Sequence, residues 1–407
     1  MNAAERVSAA DLVHEERGRL VPPDRWFPFI AFGGVAGVVI VISILAHRHL
    51  PLLHPSHRNL QGKQWYYAFS WWDGWWYTGI SRHGYGLFDV DRQSPVAFFP
   101  GFPLLMRLIG PAVGGPLLAG FGLSIGGGLG STVLFHRWCS NRLGPEKARL
   151  AVGLMLLYPF AFYLMGAVYS DALFLFMAVG AFMALEADRP VLSGLFAAAA
   201  TATRPVGVAV IIGLWVFALE RKGVLGRLRT DGWAAVRGSF SRADGGLLLA
   251  PAGLMAYCAY LGIRFHRPLA FLDAEGAHGW DQPFGFHTWF KVHWFKAIWH
   301  GPWDNGHFGH LCINALATVF AVATIPRVFR KIGLGYGIFV FVAVVMTAVS
   351  TKDFVGMGRY ILAAFPCFAV AADILHRRPI LVWTTLASFT LGLVMLAQLH
   401  ARGTIVS

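Results

Sequence analysis

Long apolar runs separated by short polar connections make up most of this chain. The runs cover 26–46, 115–136, 150–168, 171–186, 246–263, 309–326, 333–350, 360–375 and 379–400. Crossing ~30 Å of hydrocarbon takes about 20 predominantly apolar residues in a helix. The pattern therefore predicts an all-α polytopic membrane bundle of about 9–11 transmembrane helices. A further apolar stretch, 192–219, is broken at Thr203-Arg204-Pro205. Proline lacks an amide hydrogen and disfavours helix at the residue before it. Arginine is costly at the bilayer centre unless it lines a polar cavity. Two half-helices that meet at Arg204 and return to the side they entered satisfy both constraints; a single kinked span is the alternative.

Charge orients the bundle. Short basic connections belong on the cytoplasmic side: Arg137/Arg142/Lys147/Arg149, Arg221/Lys222/Arg227/Arg229/Arg237/Arg242, Arg327/Arg330/Lys331 and Arg377/Arg378. All four fall there if the N-terminus is inside and 192–219 returns. The expected organisation is a cytoplasmic segment 1–25 and one transmembrane domain 26–407, with outer loops at 47–114 and 264–308. Segment 1–25 has no signal-peptide pattern, so the first span is expected to stay as an anchor.

Composition removes whole function classes. The chain is 56% hydrophobic and 14% charged, against about 25% charged in soluble domains. Its formal net charge of +13 comes from patches between apolar runs, which suit anionic lipid headgroups rather than nucleic acid. Cys139, Cys258, Cys312 and Cys367 have no metal-ligand spacing and read as small core residues. No fixed-period repeat is present. Gly126-Gly127-Gly128 and Gly130 sit within one span and read as close helix packing. The Ala/Gly/Arg-rich composition, with no retention tail, points to a bacterial plasma membrane.

The polar aromatic residues concentrate in the outer loops, which places the candidate chemistry at the membrane surface. The first loop reads WWDGWWYTGISRHGYGLFDVDRQSPVAFFPGFPLL. Asp73 lies among Trp71, Trp72, Trp75 and Trp76, a partly desolvated carboxylate suited to taking a proton from a hydroxyl nucleophile. The other reading is a helix cap in an interfacial aromatic belt. Asp89 and Asp91 are spaced to hold a divalent ion or sugar hydroxyls, or to form an exposed turn. Asp171 either caps the helix that follows Tyr169-Ser170 or is a second site group. Arg204 is either a phosphate ligand in a cavity or a packing cation paired with an acid. Arg359 opens the span at Tyr360; a cation at a helix N-terminus opposes the dipole and calls for an anionic partner, a bound phosphate or a lipid headgroup. His278, His287, His293, His300, His307 and His310 populate the second loop. His307 and His310 can share a helical face, but no nearby carboxylate completes a triad.

Trp72-Asp73, Tyr77, Ile80, Gly84-Tyr85 and Phe98-Phe99-Pro100 with Pro103, followed by Tyr169-Ser170-Asp171, Arg204-Pro205 and Arg359-Tyr360, run in a recognisable order. That order resembles the PIG-V-like mannosyltransferase family of the GT-C superfamily of integral membrane glycosyltransferases, from Trp72 to about Pro366. Gly74 replaces the family's usual Ala, Gly101-Phe102 its Leu-Tyr, and Asp171 its Glu. The resemblance implies a GT-C bundle with a catalytic first outer loop and a polyprenyl-phosphate sugar donor, with mannose as the sugar. It implies a lipid, glycan or protein acceptor, with Asp73 as the catalytic group. Arg204 and Arg359 are the candidates to neutralise the leaving phosphate, because guanidinium matches its geometry. Trp72, Trp75, Trp76 and Tyr77, with Asp89, Asp91 and Asp171, are the candidate substrate contacts. No cofactor is implied beyond a possible divalent metal at Asp89 or Asp91. A lipid or solute transporter, with charges on broken helices at mid-depth, is the main rival; it gives no role to the WWDGWWY loop.

Overall fold

A computed structural model describes residues 22–53, 64–86, 89, 91–232, 234, 239–278, 280, 282, 285–301 and 307–406. Positions 1–21 and Arg237 lie outside these residues, as do the side chains of Arg229 and His307. Apart from one bridge that pairs Arg92 with His278, the described regular structure is helical. In order the helices are α1 (Pro22–His49), α2 (Asp73–His83), α3 (Gly101–Val113), α4 (Pro116–Leu143), α5 (Pro145–Leu157) and α6 (Asp171–Glu186). Next come α7 (Pro190–Thr203), α8 (Gly207–Arg221), α9 (Val224–Asp231), α10 (Ala252–Phe265), α11 (Ala270–Glu275), α12 (Phe286–Trp289) and α13 (Val292–His300). The last are α14 (His307–Lys331), α15 (Leu334–Ser350), α16 (Met357–Tyr360), α17 (Pro366–Leu375) and α18 (Pro379–Ala401). The two stretches expected to be outer loops, 47–114 and 264–308, are thus not plain coil. The first contains α2 and α3, and the second contains α11, α12 and α13.

Among the described residues four helices are long and apolar enough to cross a membrane by length and composition alone: Asp24–His49, Pro116–Leu143, Phe308–Lys331 and Pro379–Ala401. Two bent pairs raise this to six, Arg242–Leu249 with Ala252–Phe265 at 45° and Met357–Ala363 with Pro366–Leu375 at 89°. With large apolar side chains such as Ile30, Leu316 and Leu391 on outward faces, this is a multi-pass membrane protein.

Several expected spans are interrupted, and the reason is proline. The run 150–168 is not one helix. α5 stops at Leu157, Tyr158 is extended ahead of Pro159, and a 3-10 turn at Ala161–Leu164 follows. The runs 246–263 and 360–375 also break beside prolines, Pro251 and Pro366, which lack the amide hydrogen needed to continue the preceding helix. Hydropathy reads through these breaks because the irregular backbone is buried: every residue from Tyr158 to Leu175 is buried.

Ion pairs between connections define one end of the bundle. Arg142 pairs with Glu186 and donates to the Ile332 carbonyl at 3.2 Å. Lys147 meets Asp373 at 2.6 Å, Arg149 meets Asp24, and Arg221 meets Asp188 at 3.0 Å. The Glu220 carboxylate accepts the Leu334 and Gly335 amides, both at 2.8 Å, at the start of α15. This end gathers the basic connections. Both outer ends of the α7–α8 pair lie here, since Arg221 at the end of α8 reaches Asp188 just ahead of α7. Residues 192–219 therefore enter and return, with the reversal at Arg204. α6 runs from this end at Glu186 to Asp171, sixteen residues or ~24 Å away.

Close packing of helices in a bilayer relies on small residues, since lipid offers no hydrophobic driving force between helices. Gly127 and Gly128 of α4 do this. A Cβ at Gly127 would lie 2.9 Å from the backbone at Ala172 and Leu173, and one at Gly128 would lie 2.0 Å from the Leu164 carbonyl. α4 thereby presses on α6 and on the buried irregular segment that leads into it.

Candidate active site

At the opposite end from the basic connections, the first outer loop is stitched to the segment ahead of α6. The Val168 amide donates to the Phe69 carbonyl at 2.9 Å, the Tyr169 hydroxyl to the Trp71 carbonyl at 3.1 Å, and the Asp73 amide to the Tyr169 hydroxyl at 3.3 Å. Tyr77 shares a hydrogen bond of 2.9 Å with Ser170. Burial and the neighbouring Asp73 carboxylate push the Tyr77 hydroxyl above its ordinary range, so it serves as a neutral tie. Trp71 is fully buried and donates to the Ala401 carbonyl at 3.1 Å, which locks the loop onto the end of α18. These ties set the N-termini of α2 and α6 side by side.

Each of those helices begins with an aspartate, Asp73 and Asp171, and neither carboxylate caps its own helix. Both turn to arginines from distant segments. Arg359 Nη1 donates to Asp73 Oδ2 at 2.5 Å, and its Nε lies 3.9 Å from Asp171 Oδ1. Arg204 Nη1 pairs with the same Asp171 oxygen. The result is an alternating row Arg204–Asp171–Arg359–Asp73. The side chains of Asp171, Arg359 and Arg204 are 4%, 10% and 11% exposed, whereas Asp73 is 28% exposed. Asp73 is thus the more accessible carboxylate of the row, and Asp171 is the buried counter-ion of two guanidiniums.

Local backbone fixes each member. Asp73 follows Trp72, whose φ of 55° is strained for a bulky residue and turns the chain sharply into α2. Arg204 closes α7 in an extended conformation ahead of Pro205. α3 approaches that corner: a Cβ at Gly101 would lie 2.8 Å from the Ala202 carbonyl, a physical reason for glycine at this position. Arg359 follows Gly358, whose amide donates to Asn314 Oδ1 at 2.9 Å and whose carbonyl accepts the Tyr158 hydroxyl at 3.0 Å. The Arg359 guanidinium lies over the rings of Tyr163, Tyr169 and Tyr360 at 5.4, 5.1 and 5.0 Å, and Arg204 lies over Tyr360 at 4.9 Å. Such cation–π contacts offset part of the cost of taking guanidinium out of water.

Above Asp73, Trp75 and Trp76 meet edge to face at 4.9 Å, Trp76 stacks on Phe98 at 5.6 Å, and Trp280 of the second loop lies 5.7 Å from Trp76. Trp72, Trp75 and Trp76 are all half-buried. Asp89 and Asp91 are not drawn into this group. Asp89 Oδ1 accepts the Asp91 amide at 3.0 Å and Oδ2 lies 3.7 Å from Arg92 in an exposed turn. Among the described residues no group of three or more His, Cys, Asp or Glu is placed to hold a metal ion.

Sequence reasoning named Tyr169 and Tyr360 only as motif neighbours, and it missed Tyr163, Trp280 and His400. Tyr169 and Tyr360 adjoin Asp171 and Arg359 in their motifs, a signal that was available. His400, whose ring lies 5.8 Å from Tyr169, carries no sequence signal.

Removing the charge of Asp171 leaves two buried guanidiniums sharing one carboxylate. Breaking a buried pair costs roughly 3–5 kcal/mol. Asp171→Asn, which keeps a hydrogen-bond acceptor, should cost about 3 kcal/mol, seen as a lowered unfolding temperature in detergent. A second acid gives a pH dependence. Burial pushes the Glu275 carboxyl at the end of α11 up to about 7 from 4.5. The fold favours its protonated form, so this contribution is fully present below pH 4.5 and is lost as pH rises through about 7. Glu275→Gln should therefore raise the unfolding temperature relative to the parent at pH 8 and leave it unchanged at pH 4, measured by thermal scans at both.

No family model matches the chain, and no curated protein matches it, so the PIG-V-like resemblance rests on motif order. Among solved structures the chain is similar to an oligosaccharyltransferase from Archaeoglobus fulgidus in complex with zinc and sulfate, at 13% identity and a TM-score of 0.43, covering 90% of this chain and 53% of that one. It is also similar to the archaeal oligosaccharyltransferase AglB from Archaeoglobus fulgidus in complex with an inhibitory peptide and a dolichol-phosphate, at 12% identity and a TM-score of 0.42, covering 94% of this chain and 56% of that one. The chain thus spans about half the length of these structures.

Proposed function

We propose that this protein is a membrane glycosyltransferase that moves a sugar, mannose in the first instance, from a polyprenyl-phosphate donor to a hydroxyl acceptor with inversion. The reading rests above all on one observation: a single accessible carboxylate, Asp73, held 2.5 Å from a buried arginine that is backed by a second acid and a second arginine. Within the row the formal charges of the two aspartates and two arginines cancel. A lipid phosphate brings negative charge, and the planar guanidinium forks of Arg359 and Arg204 match it. As Arg359 turns to the phosphate, Asp73 is released to act.

Asp73 then takes the acceptor hydroxyl proton while the acceptor oxygen bonds the anomeric carbon. The bond from that carbon to the phosphate oxygen breaks, and its electron pair leaves with the polyprenyl phosphate, whose charge the arginines hold. The indoles of Trp72, Trp75 and Trp76 offer faces for sugar rings. The site lies at the end of the bundle away from the basic connections, which supports an outward-facing active site.

The test is transfer by the full chain reconstituted in liposomes, with radiolabelled polyprenyl-phosphate-mannose and a membrane extract as acceptor source. Labelled glycan or glycolipid is the expected product. If neither mannose nor any other sugar leaves a polyprenyl phosphate, while labelled donor or solute crosses the bilayer, the enzyme reading fails and the transporter stands.

A further inference from the structure

The segment of α12 and α13 presents apolar rings outward. Phe286, Trp289, Phe290, Phe295 and Trp299 are all exposed, Trp299 at 80%. At 100° per residue the outward arc of α13 divides in two. Phe295 and Trp299 form one edge, and Lys296, His300 and His293 form the other; all five are exposed. The inner face is occupied, because Trp294 donates to the Leu311 carbonyl at 3.2 Å and meets the Phe354 ring at 5.7 Å.

The depth of this segment is fixed by its anchor. Lys291, between α12 and α13, is buried and donates its ammonium to the Ala348 and Thr351 carbonyls at the C-terminal end of α15. α15 is seventeen residues long, ~26 Å, close to the ~30 Å hydrocarbon thickness. Its N-terminus sits at the basic end. Lys291 therefore marks the edge of the hydrocarbon at the site end, and an aromatic edge beside a basic edge at that depth has the composition of an interfacial helix.

We infer that Phe286–His300 lies in the headgroup layer of the leaflet on which the site opens, with Phe295 and Trp299 toward the acyl chains and Lys296 and His300 toward lipid phosphates and water. The partner is the bilayer surface itself, and the inference holds whether or not the chain transfers sugar. The segment also steadies the loop ahead of Arg359. Besides the Trp294–Phe354 contact, Lys291 of the segment holds the Thr351 carbonyl, and Gln282, a few residues ahead of the segment, accepts the Lys352 amide at 2.7 Å through its Oε1.

The experiment places a nitroxide at position 295, 296 or 299 by Phe295→Cys, Lys296→Cys or Trp299→Cys, in full-length chain whose Cys258 and Cys312 are replaced by serine. Each is reconstituted into vesicles of phosphatidylethanolamine and phosphatidylglycerol, and relaxation by oxygen is compared with relaxation by a water-soluble nickel chelate. Oxygen should dominate at 295 and 299 and the chelate at 296. The inference is overturned if the chelate dominates at all three, which puts the segment in water. It is equally overturned if neither relaxant reaches 295 and 299, which puts protein, such as a second copy, over the rings.

Discussion

Asp73→Asn should lower the rate of sugar transfer by about 10²–10⁴, the contribution expected of a positioned general base. Asparagine keeps the shape of the side chain and its acceptor oxygen but cannot take a proton. The fold should tolerate the change, because Asp73 is 28% exposed and Arg359 keeps Asp171 within 3.9 Å. The expected signature is a wild-type unfolding temperature with a rate near background at saturating donor. Asp73→Glu should restore little, since one extra methylene moves the carboxylate out of line with the attacking oxygen. Asp171 is not a substitute base: it is 4% exposed and shared between two arginines.

Arg359→Gln should reduce kcat/KM for the lipid donor by about 10²–10³, the cost of losing one preorganised donor to developing charge. Arg359 is the member of the row that contacts both acids, and in the proposed mechanism it both holds Asp73 before donor binding and meets the leaving phosphate. Lysine should not rescue it, because a point charge lacks the fork and cannot lie flat among Tyr163, Tyr169 and Tyr360. Kinetics across donor concentrations check this. A loss in kcat beyond that in KM marks a transition-state role, and unchanged values of both remove Arg359 from the chemistry.

Apolar runs and proline positions made the all-helical bundle legible, along with the termini of α1, α15 and α18, the N-termini of α4 and α14, and the reversal at Arg204; α4 and α14 run on past the apolar sequence into their basic ends, to Leu143 and Lys331. The irregular backbone from Tyr158 to Ser170 was not legible. It is as apolar as a span, and hydropathy does not distinguish lipid-facing helix from buried coil. The candidate site was legible one residue at a time. Asp73, Asp171, Arg204 and Arg359 each stood out by the cost of charge beside apolar sequence. Their arrangement was not, because Asp73 and Arg359 are 286 positions apart and meet only through the packing of α2, α6 and α16. Asp171 and Arg204 pair with each other, which sequence spacing did not show, while Asp89 and Asp91 lie together at an exposed position. Trp280 was hidden because nothing local says that the second outer loop folds back over Trp76.

The central claim is that Asp73 acts on the acceptor while the arginines act on the donor. It is tested most directly by measuring donor affinity and single-turnover transfer on the same preparations of wild type and Asp73→Asn, with labelled polyprenyl-phosphate-mannose. The account predicts that the variant binds donor at least as tightly, because a carboxylate competing for Arg359 is gone, and that its transfer is nearly abolished. Transfer equal to wild type, or loss of donor binding in step with loss of transfer, would contradict it.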